Sequence, residues 1–202
     1  MITTLDNFDA GLTWWCKKNW AKDFLNEEYA AIYAARAEGI TIEWWEATVG
    51  RLGQWRAYRG PTTPNTKAEI RARGLERLAQ IGSEFKRLSG CAPAEPSIAS
   101  FSWEQVAPLF ELARQIKQSP VFCSKMCHFV FPKLFIPMDN QASAVFEYEF
   151  YWRGMRDEWS RFLPKHEAKN RLADAMKPAE PHPLYPFESK ILELCHIGYE
   201  HR

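Results

Sequence analysis

An all-α fold is what this sequence predicts, and three observations predict it. Apolar residues recur at helical spacing, most clearly at Ile70, Leu75, Leu78, Ile81, Phe85 and Leu88. Two segments open with the pattern Ser/Thr-x-x-Glu/Gln, at Thr66–Glu69 and Ser102–Gln105. In that pattern the two side chains satisfy the amide donors left over at a helix start. Nowhere does a run alternate apolar and polar residues as a half-buried strand would, and no internal repeat is visible.

The elements follow in order. Residues 8–38 read as helix in two pieces, with Gly39 as the stop. Thr41 caps a third helix that runs through Trp44 and Trp45 towards Trp55, although Gly50 and Gly53 weaken its second half. Residues 60–65, with two prolines among small polar residues, break the chain before the helix that Thr66 opens. Ser89 to Ser100 is the best linker, so the chain divides into an N-terminal helical lobe, 1–90, and a C-terminal helical lobe, 91–202, forming one compact unit. Ser102 opens a helix expected to reach about Gln118, with Pro108 inside it. Ser119-Pro120 ends that helix, and Val121–Phe131 forms the next. Phe131 to Pro137 is a short irregular connection, and Asp139 stands where a helix cap would stand. Short helices follow at 147–153, 157–163 and 165–176, separated by Gly154 and Pro164. After the proline-broken segment 177–186, Phe187–His196 makes a last helix with Ile191, Leu194 and Cys195 inward.

Composition narrows the function classes. The chain has 202 residues, 46% of them hydrophobic, which suffices for a full core. Its 26 basic and 25 acidic residues balance to +1, so any nucleic-acid affinity must come from local clusters. No apolar run approaches the ~18 residues of a membrane span, and the first residues lack the basic start and apolar middle of a signal peptide. Five cysteines, an odd number within helical segments, fit reduced thiols. A cytoplasmic monomer that needs no cofactor is the expectation.

The densest chemistry lies between Ser119 and Tyr148, SPVFCSKMCHFVFPKLFIPMDNQASAVFEY. Lys125 lies among apolar residues and Asp139 follows Ile136-Pro137-Met138, and a charge in such company is costly without a partner or a role. Asp139 also has a plain structural use as a helix cap. Cys123, Cys127 and His128, with Cys195-His196, offer metal ligands, but their spacing is unlike paired zinc motifs, and Cys123 and Cys127 suit a small-residue core face better. No metal is therefore expected. Nine tryptophans leave two readings open for Trp14-Trp15 and Trp44-Trp45, core packing or a groove wall, because adjacent helical positions do not share a face. Arg51, Arg56, Arg59, Lys67 and Arg71, with Arg73, Arg77, Lys86 and Arg87, supply fixed charge for phosphate contacts or simply a solvated face.

The pattern Ser124-Lys125, His128-Phe129, Phe131-Pro132, Phe135 and Pro137-Met138-Asp139 resembles the helix-hairpin-helix DNA glycosylases. Within them it is most similar to the compact bacterial 8-oxoguanine-glycosylase-like group, which includes anti-phage enzymes that remove glucosylated cytosines. Lys190-Ile-Leu-Glu-Leu-Cys195-His-Ile-Gly198 is similar to that group's closing helix, and the resemblance covers roughly residues 100 to 198. It implies a two-lobed helical glycosylase fold, DNA as partner, Asp139 and Lys125 as catalytic residues, and Ser124 on the DNA-binding side. Trp44, Trp45, Trp55, Asn140 and Gln141 would then form the base pocket. The substrate it implies is a flipped modified base, glucosylated hydroxymethylcytosine of phage DNA or an oxidised purine. Against it, Gln118–Phe122 has no glycine, so the hairpin turn that would hold a phosphate is altered, and the Lys125–Asp139 interval is short. A non-catalytic helical DNA- or partner-binding protein is the reading from another class.

Overall fold

The structure, a computed structural model, describes residues 2–18, 24–58, 66–91, 95–114, 120–138, 147–177 and 181–201. The described residues form nine helices and no strands: α1 Leu5–Lys17, α2 Phe24–Ala35, α3 Ile42–Gln54, α4 Lys67–Gly90, α5 Trp103–Leu112, α6 Pro120–Val130, α7 Tyr148–Arg161, α8 Lys165–Met176 and α9 Phe187–Glu200. None is long and apolar enough to cross a membrane.

The local signals act as expected. Thr41 Oγ1 accepts from the Trp44 amide at the start of α3. Thr66 and Glu69 close a full capping box on α4, and Ser102 and Gln105 one on α5. Gly39, at φ 102°, ends the α2 turn in a conformation that costs any other residue more.

Two boundaries differ from expectation. α5 ends at Leu112 rather than near Gln118, because the Ala113 and Arg114 amides tighten onto Phe110 O and Glu111 O. Arg77 of α4 then donates to the carbonyls of Leu112 and Arg114, which fixes the end. The stretch 147–163, expected as two helices, is mostly one: α7 runs straight through Gly154. A Cβ at Gly154 would meet nothing within 4 Å, so this glycine lies on an open face. Its cost of about 1 kcal/mol is outweighed by Tyr148, Tyr151, Trp152, Met155 and Trp159, all buried on the other face.

Packing joins the two ends of the chain. α1 crosses α9 at Gly11 and Gly198, and a Cβ on Gly198 would sit 1.9 Å from Asn7 O. A Cβ on Gly11 would sit equally close, 1.9 Å, to Leu194 O, so the helices touch backbone to backbone. α4 packs on α3 in a similar way, with the Trp45 indole lying where a Gly74 side chain would be and donating to Arg71 O at 2.9 Å. In the segment read as a linker, Ile98 is buried and its amide donates to Lys133 O, while Glu95 pairs with Arg36. The break expected at 60–65 lies outside the described residues.

Candidate active site

The feature that organises this region is the run from Phe131 to Met138, directly after α6, which is almost wholly buried yet has no regular structure. Buried backbone without a ladder must find partners one group at a time. Here every carbonyl from 130 to 137 has one. Val130 O accepts from Arg36, and Phe131 O from the amides of Leu134 and Phe135. Pro132 O accepts from Ser189 Oγ at 2.9 Å, and Lys133 O from the Ile98 amide at 2.9 Å. Leu134 O takes the Trp152 indole N–H at 2.9 Å, and Phe135 O takes His128 Nδ1 at 2.7 Å. Ile136 O and Pro137 O accept from the hydroxyls of Tyr148 and Tyr151, at 2.8 and 3.3 Å. Burial pushes the Tyr148 phenol well above its usual pKa, so it remains a donor. Arg36, just past α2, together with α6, α7 and α9 thus holds in place the segment that leads to residue 139.

Ser124 closes the frame. Its Oγ donates to Val121 O at 3.0 Å and accepts from the Met138 amide at 2.9 Å. The residue before Asp139 is therefore clamped to the residue before Lys125. Fully buried and bonded on both sides, Ser124 has no hydroxyl left for a surface phosphate.

Lys125, only 6% exposed, donates from Nζ to Trp55 O at 3.1 Å and lies 4.9 Å from the centre of the Trp55 ring. The carbonyl is available because α3 ends there. Ala57 N bonds back to Leu52 O and Arg56 N to Gly53 O, with Arg56 in the left-handed conformation at φ 52°. An ammonium at a helix C-terminus also meets the negative end of the helix dipole. Arg36 does the same for α6: it is buried, donates to Val130 O, pairs with Glu95 and lies 4.3 Å from the Tyr33 ring centre. Both buried cations sit at the end of a helix.

His128 lies under the same tryptophan, ring centres 5.6 Å apart. Because Phe135 O can only accept, the proton is on Nδ1, and Nε2 accepts from the Tyr29 hydroxyl at 2.7 Å. Burial, aided by the positive charges of Lys190 and Arg36, pushes its pKa down to about 3 despite the bond to Phe135 O. The ring is neutral at physiological pH and both its nitrogens are engaged, so it is not a ready metal ligand. Cys127 Sγ faces Leu109 O and Cys195 Sγ faces Thr4 O, and His196 lies 3.3 Å from Glu158. Among the described residues no group of three or more His, Cys, Asp or Glu is placed to hold a metal.

The remaining predicted residues separate. Trp55 is half-buried beside Lys125. Trp44 and Trp45 are 2% and 1% exposed and belong to the α3–α4 core, with no face open to a ligand. Arg51 is paired with Glu28 at 2.8 Å and Arg71 with Glu46 at 2.6 Å, whereas Arg56 and Lys67 are exposed. Asp139, Asn140, Gln141 and Arg59 lie outside the described residues. Sequence reasoning missed the aromatic donors of α7, the Tyr29–His128 pair and the role of Arg36. Only the crowding of Tyr148, Tyr151 and Trp152 in one helix signalled any of these.

No protein family, no curated protein and no solved structure matches the chain.

Proposed function

We propose that this protein is a DNA glycosylase that excises a flipped modified base and leaves an abasic site. The observation that carries the reading is the buried run 130–138, with every carbonyl from 130 to 137 hydrogen-bonded and the Met138 amide clamped through Ser124 to the turn bearing Lys125. Rigid, preorganised delivery of a reacting group is what a catalytic carboxylate needs, and it is more than a simple helix cap requires. The two-lobed helix-hairpin-helix arrangement, a monomeric state and DNA as partner belong to this same reading.

The chemistry is breakage of the bond between base and sugar. As the base departs with the bonding pair, positive charge develops on the sugar. The Asp139 carboxylate stabilises that charge, or removes a proton from the water that adds to the sugar carbon. Lys125 is the electrostatic partner, or attacks the sugar carbon itself as a neutral amine. Arg56 and Lys67, exposed, are the phosphate contacts closest to this reading. The glucosylated cytosine of phage DNA is the favoured substrate and 8-oxoguanine the alternative.

A second reading draws on Lys125 alone. Its bond to Trp55 O and its place at the end of α3 give it a purely structural task, as a non-catalytic helical DNA-binding protein would have. Incubation with DNA carrying glucosylated hydroxymethylcytosine, with DNA carrying 8-oxoguanine and with plain DNA, followed by counting of abasic sites, separates the two. Abasic sites on one modified DNA and not on plain DNA support the glycosylase; none on any of the three favours the binding protein.

A further inference from the structure

A second region of the molecule has the makings of a ligand site and is unrelated to Lys125 or Asp139. It is a cleft of about 290 Å³ where the start of α8 meets the end of α7, the start of α9 and the turn at Lys133. Three lysines line it, Lys133, Lys165 and Lys169, together with Trp159, Phe187 and Glu188. Lys165 and Lys169 are one helical turn apart and share a face. Lysine ion pairs among the described residues involve Lys177 and Lys190, not these three. Two of them lie instead on aromatic rings, Lys165 Nζ 5.0 Å from the Trp159 centre and Lys169 Nζ 4.9 Å from the Phe187 centre. Three ammonium groups against one carboxylate leave the lining two positive charges in excess, with His166 at the rim bonded to Asn170. A phosphate monoester dianion matches that excess.

Glu188 makes the site more specific. Its Oε2 is buried and has no hydrogen-bond partner among the described residues. A buried acceptor without a donor costs about 1–3 kcal/mol, and turning the Glu188 carboxylate from its buried position into the cleft, towards an entering hydroxyl, would remove that cost. The aromatic walls suit the apolar C–H face of a sugar ring, and the volume lies at the small end of ligand pockets, ~300 Å³. We propose that this cleft binds a pentose phosphate monoester. The lysines hold the phosphate, Glu188 turns to accept from a sugar hydroxyl, and the half-buried Phe187 packs against the ring. The same chemistry occurs in a free pentose phosphate and in a nucleoside 5′-monophosphate, the latter adding a base at the open side.

Titration calorimetry of the full chain tests this with ribose 5-phosphate and adenosine 5′-monophosphate, against ribose, adenosine and inorganic phosphate. At least one monoester binds at a single site, more tightly than inorganic phosphate or its own dephosphorylated form, and the tighter of the two names the source. The K165Q/K169Q double variant weakens that binding by about tenfold or more, while its melting temperature falls by only about a few degrees, since neither side chain is in an ion pair and each gives up only a ring contact. Glu188→Gln weakens the monoester and leaves inorganic phosphate unchanged. The proposal is overturned if inorganic phosphate binds as tightly as both monoesters. It is equally overturned if K165Q/K169Q leaves the affinity unchanged, or if neither monoester binds by about 10 mM. Binding of a single-stranded oligonucleotide in place of both monoesters would make the cleft a strand groove and would also overturn it.

Discussion

Between pH 7 and pH 5, His128 is expected to lower the stability of the protein. In the folded state this imidazole is buried, gives its Nδ1 proton to Phe135 O and accepts from Tyr29, and its pKa is pushed down to about 3. In the unfolded chain it titrates near 6.5. Between those two values the unfolded state binds the proton and the folded state does not. Stability is therefore complete above about pH 6.5 and falls as the pH drops towards 3. The slope approaches 1.4 kcal/mol per pH unit, so about 2 kcal/mol is lost by pH 5, a sizeable share of the ~5–15 kcal/mol that holds a domain together. The window lies above the unfolded pKa of Asp and Glu, which separates it from carboxylate titration. Urea denaturation at pH 7 and pH 5 measures the loss, with His128→Asn as the comparison. The asparagine amide retains a donor for Phe135 O but cannot titrate. The variant is less stable than wild type at pH 7, yet its stability at the two pH values agrees far more closely. An equal drop in His128→Asn and wild type would refute the reasoning.

Other substitutions probe the frame. Gly198→Ala places a methyl 1.9 Å from Asn7 O, where neither helix backbone can yield without moving, and lowers stability by about 3 kcal/mol or more in thermal melts. Arg36→Met removes the donor to Val130 O and strands Glu95, costing about 3–5 kcal/mol in chemical denaturation; a cost below about 1 kcal/mol would show the pair to be incidental. Tyr148→Phe leaves Ile136 O without its buried donor, costs about 1–3 kcal/mol, and speeds amide exchange in the 131–138 run, read by hydrogen exchange.

How much of this was legible in the sequence depended on range. Thr41, Thr66–Glu69 and Ser102–Gln105 act on amides three residues away, so their pattern sufficed to place α3, α4 and α5. Gly154 misled because a glycine breaks a helix only when packing does not hold the other face, and burial of Trp152 and Met155 is a tertiary fact. Lys125 stood out as a buried cation, but its acceptor is the Trp55 carbonyl, and a backbone acceptor leaves no mark in sequence. The paired tryptophans illustrate the same limit: Trp44 and Trp45 went to the core, whereas Trp55, at the end of the same helix, lies beside the lysine. Lys165 and Lys169 show their one-turn spacing at once, yet Lys133 joins them only through the fold.

Base release tests the proposed roles of Asp139 and Lys125 most directly. If the proposed function holds, wild-type protein releases the modified base from DNA carrying glucosylated hydroxymethylcytosine. Asp139→Asn, folded to the same circular-dichroism spectrum, loses at least about 100-fold in single-turnover rate. Release at the wild-type rate by Asp139→Asn, or no release by wild type from any modified DNA, would contradict the account.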